Sequence, residues 1–209
     1  MPHKQTLYPK TRRVGSTDPR VIITEKLDGS NIGFFKFEDE LCVAQRNWVF
    51  DYSEIMKGDV SKRLYKGLYG WIEMYGEHLQ EELQDNACVF GEWIGMGKLV
   101  YPDLDKRFYQ FAKCNIETLD DPIWSTKNLY YDSSLFKWSY KSQEQPDYIG
   151  TVPLVEVMTR MPDKAYLDGL YDAYCEKVNR RVEGFITLAN NKPQKYVRMK
   201  NGTLTPHKS

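Results

Sequence analysis

The chain has 209 residues and a mass of 24.6 kDa, which suits one domain, and its 29 basic and 29 acidic residues cancel. That balance excludes a histone-like coat protein, so contacts with nucleic acid would come from local patches. No apolar run reaches the ~20 residues needed to cross a bilayer, and the start MPHKQTLYPK lacks the apolar stretch of a signal peptide. The expectation is a soluble intracellular protein with no membrane contact.

Strands are expected first. PRVIITEK is rich in β-branched residues, NIGFFKFED follows a Gly-Ser turn, and ELCVAQR returns after an acidic turn. From Val60 to Leu83 apolar residues recur at helical spacing, which predicts one long amphipathic helix whose aromatic stripe faces a core. Strands resume with ACVFGEWIG and RFYQFAKCNI, and Leu119 to Tyr148 reads as irregular, with one short strand around Leu135 to Ser139. After Pro162 a second helix is predicted, with Asp163 as its N-cap, followed by last strands RVEGFITLA and KYVRMK. Antiparallel strands interrupted by two helices give an α+β fold, antiparallel β-sheets flanked by helices. No repeat, low-complexity block or linker divides the chain, so residues 1–209 are read as a single domain with no separate C-terminal domain.

Zinc and hydrolase chemistry find little support. Cys42, Cys88, Cys114 and Cys175 form no Cys-x-x-Cys and read as reduced core residues. Two of the three histidines, His3 and His207, lie in the terminal tails, and His78 sits alone in a polar helical stretch.

The most informative stretch is TEKLDGSN. A lysine after a run of Val and Ile, followed by Asp and a Gly-Ser turn, places an amine at a pocket floor and turn N–H groups where they can face an anion. Lys26 is therefore a candidate nucleophile, although the segment alone also reads as a hairpin turn with an exposed lysine. Glu25-Lys26-Leu27-Asp28-Gly29-Ser30-Asn31 resembles the Lys-x-Asp-Gly motif of covalent nucleotidyltransferases, the superfamily of ATP-dependent DNA ligases, RNA ligases and mRNA capping enzymes. Further motifs resemble that superfamily in order: Arg46, twenty residues after the lysine; Val89-Phe90-Gly91-Glu92-Trp93-Ile94-Gly95; Phe108 to Phe111; Val182-Glu183-Gly184-Phe185-Ile186; and Tyr196-Val197-Arg198-Met199-Lys200. Asn31 after Asp-Gly-Ser and the phrase Phe-Gly-Glu-x-x-Gly are most similar to the RNA ligase 2 type.

The resemblance implies a nucleotidyltransferase (ATP-grasp-like ligase) domain of an ATP-dependent RNA ligase. It also implies catalysis in which Lys26 takes AMP from ATP, passes it to an RNA 5′-phosphate, and a 3′-hydroxyl then displaces AMP. It places Lys200 and Arg198 beside Lys26 as catalytic cations, and Glu25, Asn31, Arg46, Glu92, Phe111 and Glu183 around the nucleotide. Phe108 is the alternative to Phe111 for stacking on adenine. Glu183 and then Glu92 are the implied ligands of Mg²⁺, with Mn²⁺ as its substitute. The implied partner is RNA with 5′-phosphate and 3′-hydroxyl ends, engaged with the help of a partner domain or protein. By analogy with phage RNA repair, the location would be cytoplasmic or host-cytoplasmic.

The chemistry of these residue types agrees. A free lysine, with a pKa of about 10.4, is almost wholly protonated at neutral pH, so an attacking lysine needs neighbouring positive charge or desolvation. Cations at Arg198 and Lys200 would also offset charge growing on the α-phosphate. Arginine stands at 198 where the superfamily usually has lysine, keeping the charge but changing an ammonium into a fork. Lys57, Lys62, Arg63 and Lys66 either track an RNA backbone or form a solvated helix face. A small DNA ligase, a capping guanylyltransferase and a non-catalytic nucleic-acid-binding domain are the competing readings.

Overall fold

A computed structural model describes residues 20–116, 122–135, 137–141, 146–190, 192–200 and 203–204. The first half runs β1 (Val21–Lys26), β2 (Ser30–Phe37), β3 (Glu40–Gln45), β4 (Trp48–Asp51), α1 (Tyr52–Met56), α2 (Leu68–Glu82), β5 (Ala87–Trp93) and β6 (Phe108–Asn115). The second half runs β7 (Ile123–Trp124), β8 (Leu129–Asp132), β9 (Lys137–Tyr140), β10 (Ile149–Thr151), β11 (Leu154–Met158), α3 (Lys164–Val178), β12 (Gly184–Ala189), β13 (Lys192–Val197), β14 (Met199–Lys200) and β15 (Thr203–Leu204).

Two sheets organise the chain. One has seven strands, in the order β10-β6-β5-β2-β3-β4 with β7 added on β6; the other has four, in the order β11-β1-β12-β13. Every pairing in them is antiparallel except β10 with β6. The β2–β3 hairpin closes on Glu38 and Asp39, both at positive φ, a turn whose twist matches that of its strands.

Strand alternation then divides the apolar residues among layers. Ile32, Phe34, Val43, Val89, Trp93 and Phe108 pack one face of the large sheet against Trp71, Ile72 and Leu79 of α2. On the small sheet, Ile23 and Phe185 pack against Leu167, Tyr171 and Tyr174 of α3. The other face of the large sheet, with Phe35, Ala44, Phe90 and Ala112, meets Leu188 of β12. The two sheets therefore face each other with helices outside, an α+β fold of antiparallel sheets flanked by helices. Asp163 caps α3 as expected, its carboxylate accepting the Tyr166 N–H at 2.8 Å. Cys42, Cys88, Cys114 and Cys175 are all free thiols.

Several boundaries differ from the sequence reading. The helix expected from Val60 begins only at Leu68, because Ser61–Arg63 form a 3₁₀ turn, Leu64 is extended and Gly67 takes a left-handed φ of 82°. The apolar spacing persists because Val60 and Leu64 pack on the same core as α2. The short strand expected near Leu135 to Ser139 is a hairpin, β8 with β9, and Leu135 precedes its second strand. The rest of that irregular stretch lies partly outside the described residues. KYVRMK is two strands: the N–H groups of Arg198 and Met199 both donate to the Glu183 carbonyl (2.9 and 3.0 Å), which ends β13 at Val197.

Candidate active site

Lys26 is the last residue of β1 and pairs with Gly184, the first of β12. Its ammonium forms an ion pair with the Glu183 carboxylate, and both side chains keep some contact with solvent. The pairing needs glycine at 184, since a Cβ there would run into the carbonyl oxygen of Tyr196.

The turn after Lys26 is fastened at Asp28 and at Gly29. The Asp28 carboxylate accepts the N–H groups of Lys98 (2.6 Å) and Leu99 (2.9 Å), while the Asp28 N–H donates to the Tyr101 hydroxyl at 2.5 Å. Gly29 N–H donates to Glu92 Oε1 at 3.1 Å. The turn's N–H thus faces a carboxyl group of the protein itself. Gly29 lies so close to β5 that a Cβ would meet the Trp93 carbonyl and the Glu92 side chain.

Glu92 reaches this place from β5, where it pairs with Asn31 of β2. Loss of hydration pushes its carboxyl up to about 7, against the pull of Lys26 and the Gly29 hydrogen bond, with Glu183 and Asp28 adding to the rise. Glu92 and Glu183 are thus close enough to feel each other's charge. Two carboxylates suit a hard cation that keeps several waters. Among the described residues no group of three or more His, Cys, Asp or Glu is arranged to hold a metal, so remaining ligands would be water or phosphate oxygens.

Glu25, the other neighbour of Lys26, turns the opposite way. Its fully buried carboxylate accepts from Arg180 Nη1 (2.6 Å) and Nη2 (2.8 Å) and from the Tyr174 hydroxyl (3.0 Å). Arg180 also donates Nε to Asp103 at 2.5 Å, and its guanidinium lies 4.7 Å from the Tyr101 ring centre. Glu25 was expected at the nucleotide, yet its side chain is consumed here, because alternation along β1 sends it to the α3 side. Arg180 is delivered by Asn179, which ends α3 in the left-handed conformation. Arg180, Tyr174, Tyr101 and Asp103 escaped the sequence reading. The available signal was Glu25 itself, since a carboxylate alternating into a core needs a cation.

At the start of β2, the Tyr65 hydroxyl donates to the Asn31 carbonyl (3.2 Å) and accepts the Arg46 N–H (3.3 Å). Asn31 and Arg46 are thereby tied together, with Arg46 exposed just beyond the Ile32 and Gln45 pair.

Of the two aromatic candidates, Phe108 is fully buried against Phe34 and Trp71 on the α2 side. Phe111 is half-buried, stacks on Trp124 with ring centres 6.3 Å apart, and packs beside the cluster containing Leu27. A bulge separates them: Gly91 pairs with Gln110 and Phe90 with Ala112, leaving Phe111 without a register partner.

Arg198 has a different attachment from the one expected. Its Nη1 lies 3.3 Å from Asp168 of α3 and its guanidinium 5.5 Å from the Tyr171 ring centre, while the Tyr196 hydroxyl donates to the same Asp168. Lys200 lies in β14 opposite Thr203, and its side chain is outside the described residues. No described helix is long and apolar enough to cross a membrane.

Residues 19–199 match the family model for RNA ligase. No curated protein sequence matches the chain. Structural likeness is found with RNA ligase of Naegleria gruberi: a variant with ATP and Mn (TM-score 0.51, 16% identity, 85% of this chain and 48% of that one), a variant with AMP and Mn (0.51, 14%, 85% and 49%), and an apo variant (0.50, 16%, 85% and 49%). At these identities the likeness is one of fold, and this chain spans about half the length of those ligases. With its two facing sheets and a family match that runs from the start of β1 to β14, the chain belongs to the RNA ligase family.

Proposed function

We propose that residues 20–204 form the adenylation domain of an ATP-dependent RNA ligase, with Lys26 as nucleophile. The observation that carries this reading is the convergence of the Lys26–Glu183 ion pair with Glu92, which the Gly29 N–H holds beside it. Lys26 Nζ attacks the α-phosphate of ATP, forming an N–P bond while the bond to the bridging oxygen of pyrophosphate breaks. AMP then passes to an RNA 5′-phosphate, freeing the lysine, and a 3′-hydroxyl displaces AMP to form the phosphodiester. The N. gruberi variants with ATP or AMP and Mn support a nucleotide and a divalent cation in such a fold.

Before attack, Lys26 must shed a proton and leave its ion pair. Glu183 touches the ammonium and is the group placed to hold or receive that proton. Glu92 and Glu183 would hold Mg²⁺ or Mn²⁺, which would supply positive charge to offset that of the phosphates. Phe111 offers a ring for adenine, and Asn31 and Arg46 face the phosphates or the RNA 5′-end. Arg198 positions the strand end by gripping α3, and Glu25 and Arg180 fix β1 behind the nucleophile.

Intact mass after incubation with ATP and Mg²⁺ tests the first step. The expected result is a gain of one AMP that vanishes in Lys26→Ala and does not form a GMP adduct with GTP. Folded protein that arrives free of AMP and gains none overturns the reading. A nick ending in a 3′-ribose should then be sealed faster than one ending in a 3′-deoxyribose, and equal rates would favour a DNA ligase.

A further inference from the structure

Trp48 of β4 is the most exposed tryptophan among the described residues, with half of its surface open. A large aromatic on an edge strand is a liability unless it has a partner. The Arg63 guanidinium lies 4.9 Å from its ring centre, and the Phe50 ring stacks 6.3 Å away.

Arg63 belongs to the 3₁₀ turn where the sequence reading expected helix, and Gln45 pins that turn from both sides. Gln45 Nε2 donates to the Arg63 carbonyl at 2.9 Å, and its Oε1 accepts the Tyr65 N–H at 2.7 Å. Gln45 is itself buried and pairs with Trp48 across the β3–β4 turn. The Tyr65 hydroxyl then joins the assembly to Asn31 and Arg46. Trp48 and Arg63 therefore stand on a fixed extension of the rim of the candidate active site.

The surroundings are basic. Arg46, Lys57, Lys62, Arg63 and Lys66 lie within this stretch, against Asp51, Glu54 and Asp59. The five cations outnumber the three carboxylates, of which Glu54 accepts the Asp51 N–H (3.2 Å) and Asp51 caps α1. An open indole, a guanidinium and spare ammonium groups match a strand that alternates flat bases with phosphates.

We infer that Trp48 and Arg63 form a stacking platform for an unpaired nucleotide of the RNA strand bearing the 5′-phosphate, next to the joint. The inference rests on the RNA ligase reading above, because it takes the strand as continuing outward from Arg46. Bases stack on the indole, and Arg63 with Lys62 meets the phosphates.

The test is fluorescence anisotropy of a 5′-phosphorylated single-stranded RNA, without ATP, alongside the AMP mass assay. Trp48→Ala should weaken RNA binding about tenfold while AMP uptake by Lys26 continues. Trp48→Phe, which keeps a ring on the edge strand, should regain most of the loss, and Arg63→Gln should lower the salt slope of binding by about one. Unchanged RNA affinity in both Trp48→Ala and Arg63→Gln, with folding intact, overturns the platform. Protein that binds RNA through Trp48 yet takes no AMP keeps the platform and overturns the adenylation reading instead.

Discussion

Glu25 and Lys26 are consecutive residues whose charges point to opposite sides of one strand. The carboxylate is buried with Arg180 and Tyr174 on the α3 side, and the ammonium meets Glu183 in the space between the sheets. The nucleophile is thereby held by its neighbour's anchorage as well as by its own ion pair.

Removing Arg180 should therefore hurt the fold before the chemistry. Arg180→Met leaves the Glu25 carboxylate, which has no exposure, without its cation. Breaking a buried pair from one side costs about 3–5 kcal/mol, which urea denaturation should reveal. Glu25→Gln combined with Arg180→Met should recover part of that loss.

Glu92 makes both activity and stability pH-dependent near neutrality. Its carboxyl is raised from 4.5 to about 7, so the folded protein keeps a proton that the unfolded chain has released across that interval. Stability should fall as pH rises from 4.5 to about 7, and the rate of AMP uptake should climb toward pH 7 as the carboxylate forms. Glu92→Gln should flatten the stability profile and lower uptake throughout. An unaltered profile would show that another group titrates.

The two phenylalanines of β6 should separate cleanly. Phe108→Ala removes a fully buried ring and should cost about 3–5 kcal/mol, with ATP affinity per folded molecule unchanged. Phe111→Ala should cost little stability and raise the ATP KM about tenfold. Thermal melts and AMP uptake at varied ATP distinguish the outcomes.

Gly184→Ala forces a methyl group against the Tyr196 carbonyl beside the Glu183 carboxylate. About 1–3 kcal/mol of stability should be lost, and displacement of Glu183 should slow AMP uptake about a hundredfold. Titrating AMP uptake in folded protein checks the second effect separately from the first.

The motif residues were legible because each is locally encoded: a lysine at a strand end, a turn of Asp and Gly, a carboxylate flanked by glycine. Their convergence is a property of strand pairing, such as Lys26 opposite Gly184 and Asn31 opposite Glu92. Short strands escaped, since Trp48–Asp51 is too brief and half-exposed to show a period. The start of α2 was misplaced because packing kept Val60 and Leu64 at helical spacing while Gly67 broke the backbone. Arg198 is expected beside Lys26 from the resemblance of its motif, but a motif does not say which neighbour claims a side chain, and Asp168 comes from a helix distant in sequence.

The bulge in β6 gives that strand one residue more than its pairing with β5 requires. Elsewhere in the strand, losing a residue would turn every following side chain to the opposite face, exchanging core rings for polar ones. At Phe111 the same loss would be absorbed into regular pairing, leaving the sheet in register and the space above it without its ring. Sheet length and pocket lining can therefore vary independently at this position.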